Sequence, residues 1–88
     1  MLSILIKLMA IKQIEGFEIK CYGANLGIAV YGKSKSELRD NKAINDIERK
    51  FCIVFNGMKN SELEKAIIEN PNGDGFIRFM TIRPKHSS

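Results

Sequence analysis

Between Gly16 and Gly32 the chain reads GFEIKCYGANLGIAVYG, two short alternating runs on either side of a turn. Phe17, Ile19 and Cys21 fall on one face and Glu18, Lys20 and Tyr22 on the other. Leu26, Ile28 and Val30 continue the apolar face, while Gly27, Ala29 and Tyr31 take the second. A period of two with one apolar face is the pattern of antiparallel strands half-buried against a core. Gly23 to Asn25 is then the hairpin turn. The small residues Gly27 and Ala29 leave room for something to lie close against the second face.

Gly32 ends this hairpin, and Ser34 to Glu37, SKSE, matches a capping box in which serine and glutamate satisfy each other's backbone amides at a helix start. Ile44, Ile47, Phe51, Val54, Phe55 and Met58 form one stripe at helical spacing, with Asn45, Asp46, Arg49 and Lys50 turned away. Gly57 is a natural terminator. Within this stretch FCIVF, Phe51 to Phe55, fits a helix or a buried strand; continuity of the stripe favours the helix, the β-branched Ile53 and Val54 the strand.

A second capping box, SELE at Ser61 to Glu64, predicts a short helix with Leu63, Ala66 and Ile67 on one side, ending by Asn70. NPNGDG, Asn70 to Gly75, strings together three turn-forming dipeptides and predicts a tight reversal. FIRFMTIRP then makes a final strand closed by Pro84, with Phe76 and Phe79 as core residues. At the other end, residues 2–12 alternate as a strand that is apolar on both faces, suited to a sheet interior or a dimer contact. The expected fold is α+β: an antiparallel sheet of three to four strands with one long and one short helix on one face, in the order β-β-β-α-α-β. A single domain covers residues 1–84, and residues 85–88 form a disordered tail.

With 44% hydrophobic and 27% charged residues, a chain of 88 can bury a small core. The formal charge of +4 permits weak attraction to nucleic acid. Between Lys33 and Lys50, however, the cations alternate with Glu37, Asp40, Asp46 and Glu48, as on a solvated helix face. Cys21 and Cys52 lack metal-binding spacing and read as small buried apolar side chains, and reduced thiols fit the cytoplasm. His86 stands alone, without a serine or cysteine nucleophile to serve. Glu62, Glu64, Glu69 and Asp74 read as helix-start and turn residues rather than acid-base groups. Residues Tyr22 to Gly27 lie between two strands and do not make a phosphate-cradling loop. The apolar opening, interrupted by Lys7, falls short of the roughly 20 residues a membrane span needs. The reading is a non-enzyme without metal or cofactor.

The stretch GFEIKCYGANLGIAVYGKSKSELRDN resembles the N-terminal domain of HicB-type antitoxins and their solitary relatives. Gly16-Phe17, Leu26-Gly27, Gly32, Ser34, Glu37 and Asn41 stand at that family's pattern positions, and Leu38 occupies its small apolar position. Lys35 departs from the pattern, and after Asn41 the apolar positions slip by about one. The resemblance, over residues 3–55, implies a partial ribonuclease-H-like sheet without catalytic acids, which dimerises and blocks a small ribonuclease toxin. Residues 59–88 do not supply the DNA-binding module that full-length members add.

The expected function is therefore that of a homodimeric interaction protein that binds and inhibits a partner, with Tyr22, Tyr31, Lys33 and Lys35 as candidate contacts. A second reading is a small nucleic-acid-binding protein in which Lys20, Lys33, Lys35, Arg78 and Arg83 contact phosphates. A third is a virus-encoded inhibitor of host machinery.

Overall fold

The alternating runs pair as expected: β1 (Glu18–Cys21) lies antiparallel to β2 (Leu26–Gly32), with Glu18 opposite Tyr31 and Cys21 opposite Ile28. The structure, a computed structural model, describes residues 14–21 and 26–85. The expected strand over residues 2–12, the turn at Gly23 to Asn25, Tyr22 and the tail from His86 lie outside the described residues. Two helices follow, α1 (Lys35–Asp40) and α2 (Lys42–Asn56), and then two nine-residue strands, β3 (Ser61–Glu69) and β4 (Phe76–Pro84). The sheet is four-stranded and antiparallel in the order β1-β2-β4-β3. The α+β class stands, and the order over the described residues is β-β-α-α-β-β.

Two elements differ from the sequence expectation. Ser61 to Glu69 is a strand, not a short helix: it pairs with β4 from Ser61 opposite Pro84 to Glu69 opposite Phe76. As a helix it would leave the outer edge of β4 without backbone partners, whereas the NPNGDG turn delivers a nine-residue antiparallel ladder. Asn60, at a φ of 56°, separates α2 from that ladder. The helix from Ser34 is also not continuous. Ser34 caps α1 by accepting from the Glu37 amide at 3.1 Å, and Asn41 then ends α1 and caps α2, its Oδ1 accepting from the Ile44 amide at 3.1 Å. Removing that acceptor in Asn41→Ala should lower stability by about 1 kcal/mol. Asn41→Ser should recover most of the loss, and urea curves that do not separate the two variants would show that the cap contributes nothing.

The helices cover one face of the sheet. Leu38 from α1 and Ile44, Ile47, Phe51 and Val54 from α2 bury themselves against Ile28, Val30, Met80 and Ile82. Each such side chain contributes about 1.5–3 kcal/mol. FCIVF belongs to α2, with Phe51 and Val54 inward and Ile53 66% exposed. Among the described residues no helix is long and apolar enough to cross a membrane.

Three side chains depart from their expected surroundings. Cys21 is exposed, because the helices pack over β2, β4 and β3 and do not shelter the edge strand β1, and Cys52, on α2 beside the inward Phe51 and Val54, is only half-buried. Phe76 packs against the core, but Phe79 stands on the opposite face, where the strand's alternation puts it.

Candidate functional site

Three of the four predicted contact residues, Tyr31, Lys33 and Lys35, fall around the end of β2 where the chain leaves the sheet. Tyr31 is half-buried on the face without helices, flanked in register by Glu18 on β1 and Ile77 on β4. The Lys20 ammonium lies 5.1 Å from the centre of its ring, close enough for a cation–π contact. Lys20 also reaches Glu18 at 3.6 Å. Lys33 and Lys35 follow in the step from β2 into α1, both exposed and outside every ion pair among the described residues. Tyr22, the remaining candidate, lies outside the described residues.

The surroundings are of mixed sign. Glu37 and Asp40 line a shallow depression with Gly16, Phe17 and Asn41 beside the start of α1. Arg39 is held by its neighbour Asp40 through two hydrogen bonds of 2.9 and 3.0 Å. That hydrogen bond and the arginine's charge keep the Asp40 carboxyl below its usual range.

Arg78 and Arg83, the cations of the last strand, are occupied elsewhere. Arg78 faces the helices and is 7% exposed. Its Nη1 donates to the Leu38 carbonyl at 2.6 Å and to Asn45 Oδ1 at 2.7 Å, and its Nη2 donates to Glu48 Oε1 at 2.9 Å. Glu48 also meets Lys65 at 3.4 Å. Burial pushes the Glu48 carboxyl up, but the hydrogen bond and charge of Arg78, helped by Lys65, outweigh it and hold the group below its ordinary value. A carboxylate kept ionised in this way is poorly matched to proton transfer near neutral pH. Arg83 pairs with Glu64 and, at 3.5 Å, with Glu62. Glu62 and Glu64 are thus cross-strand partners of an arginine, not residues of a helical first turn.

Asn45 and Glu48 were read from the sequence as solvent-facing helix residues, and their role as acceptors for Arg78 was missed. The available signal was parity: Arg78 alternates with the inward residues Met80 and Ile82, and a buried guanidinium requires acceptors.

At the opposite end of the sheet a cleft of about 280 Å³ is lined chiefly by Leu26, Met58, Asn60, Ser61, Ile82 and Pro84. The Ser61 hydroxyl is buried there without a hydrogen-bond partner. Among the described residues no group of three or more His, Cys, Asp or Glu side chains is placed to hold a metal ion. Compared with known proteins, the chain matches no family model, no curated protein and no solved structure.

Proposed function

We propose that this chain is a non-catalytic, homodimeric interaction protein of the cytoplasm that binds a partner protein and blocks it, a small ribonuclease toxin being the concrete form. The contact surface is the end of β2 with the start of α1: Tyr31, Lys33 and Lys35. The observation that carries the choice over phosphate binding is the state of Arg78 and Arg83. Both are tied to carboxylates, so the five-cation set of the nucleic-acid reading is reduced to Lys20, itself paired with Glu18, and the exposed Lys33 and Lys35. Nucleic acid favours a continuous positive track, whereas a protein partner tolerates and uses mixed charge around an aromatic anchor. The HicB-like pattern over residues 3–55 points to the same class of activity.

The test is capture of the tagged full chain from its native host with and without nuclease. A partner protein that stays bound in stoichiometric amount after digestion, is released by the Lys33→Glu, Lys35→Glu double variant, and has a ribonuclease activity that the wild-type chain suppresses is the expected result. Recovery of nucleic acid alone, lost on digestion or in moderate salt, would overturn the proposal in favour of phosphate binding.

A further inference from the structure

The connection from α2 into β3 leaves a polar group in an apolar setting that the fold does not satisfy. Ser61 has the parity of Leu63 and Ile67, which pack against the core, so its side chain faces the helix side of the sheet. It is 8% exposed, and its hydroxyl is buried with no hydrogen-bond partner among the described residues. Pro84, opposite it in the ladder, has no N–H to offer. A buried hydroxyl in this state is destabilising, and an alanine would pack in the same place without that cost.

Ser61 lines the cleft of about 280 Å³ whose other walls, Leu26, Met58, Ile82 and Pro84, are apolar. A cavity of about 150 Å³ holds benzene, so this space admits a molecule of about ten non-hydrogen atoms, far more than the single water that would satisfy one hydroxyl. Lys59, two residues before Ser61, also lines the cleft, is exposed, and stands outside every ion pair among the described residues. Arg83, the other cation there, is held by Glu62 and Glu64. The wall that carries Lys59 is fixed by backbone hydrogen bonds. The Gly57 and Met58 amides donate to the Val54 and Phe55 carbonyls at 3.1 and 3.0 Å, and the Lys85 amide donates to the Asn60 carbonyl at 2.8 Å.

We propose that this cleft binds a small monocarboxylate with a compact apolar body. One carboxylate oxygen accepts from Ser61 Oγ, Lys59 supplies the opposite charge at the mouth, and the body lies on Leu26, Met58 and Ile82. Apolar walls alone would take any small hydrocarbon; a buried hydroxyl and an uncommitted ammonium two residues apart select an anionic oxygen. The seven residues of β2 separate this end of the sheet from Lys33, about 20 Å away along the strand. The site is therefore distinct from the proposed partner surface and does not rest on it.

The test titrates the nitrogen-15-labelled full chain with benzoate and, separately, with its uncharged isostere benzamide, and follows the backbone amides by NMR. Benzoate should give saturable shifts centred on Met58, Lys59, Ser61 and Ile82 with a Kd of about 1 mM or tighter, and benzamide should bind about tenfold more weakly. Lys59→Gln, a change at an exposed position that leaves the core intact, should remove that preference. Ser61→Ala should weaken benzoate about tenfold while raising the Tm of the chain alone, because it deletes the unpartnered hydroxyl. No saturable shift at these amides, shifts spread over the surface lysines, equal affinity for the two probes, or a Ser61→Ala chain that is less stable and binds benzoate as well as the wild type would each overturn the proposal.

Discussion

Arg78→Ala should cost about 3–5 kcal/mol, the range for removing one partner of a buried ion pair. The truncation strands the Leu38 carbonyl and the Asn45 amide oxygen and leaves Glu48 only its longer contact with Lys65, since the guanidinium bridges α1, α2 and β4. For a domain whose whole stability is of order 5–15 kcal/mol, that leaves a marginal fold. Arg78→Met, which fills the volume, should still be destabilised because Glu48 keeps its charge; adding Glu48→Gln should recover part of the loss. Urea midpoints of the two single variants and the double variant test this, and simple additivity would show that the pair is not coupled.

The same pair sets an acid response. The folded Glu48 carboxyl lies below its ordinary value of 4.5, so the unfolded chain binds its proton more readily. The stability this provides is complete above the ordinary value and is lost as pH falls through the depressed folded one. Melting temperatures from neutral pH downward should therefore fall more steeply for the wild type than for Glu48→Gln, whose curve lacks this group. Parallel acid slopes would remove Glu48 from the account.

What could be read from the residues divides by the range of the interaction. The antiparallel pairing of β1 with β2, the stripe of α2 and the reversal at NPNGDG are local patterns, and each appears where its pattern stands. Ser61 to Glu69 was misread because Leu63 and Ile67 are four apart, a spacing that satisfies a helical turn and two strand repeats alike. Ser and Glu three apart do not separate the cases either. The deciding fact was the free edge of β4, which exists only once the sheet is assembled. The break at Asn41 left a trace in Leu38, which falls off the later stripe yet is fully buried. Of the candidate surface, chain order alone puts Tyr31, Lys33 and Lys35 together. The withdrawal of Arg78 could not be foreseen, because its acceptors Asn45 and Glu48 lie 33 and 30 residues away.

Gly75→Val should be comparably damaging, for a reason independent of charge. Gly75 has a φ of +92°, which L residues rarely adopt, and a Cβ added there would stand 2.4 Å from the Gly32 carbonyl oxygen. The obstacle is backbone, so no rotamer change relieves it. Strain of about 1–3 kcal/mol from the dihedral and a similar amount from overpacking give a loss of about 3 kcal/mol or more. Gly73 is the internal control: its φ is not in the left-handed region, and the nearest atom to an added Cβ is the Asn70 side-chain nitrogen at 3.4 Å. Gly73→Ala should stay within about 0.5 kcal/mol of the wild type. Urea unfolding of both variants decides the matter, and equal losses would show that the turn as a whole, rather than the Gly75–Gly32 approach, is what matters. The approach also fixes the end of the β2–β4 ladder at Gly32 opposite Phe76, one residue before Lys33. A Gly75→Ala chain that still folds should therefore hold the proposed partner more weakly in the capture assay, although the proposed contacts Tyr31, Lys33 and Lys35 are untouched.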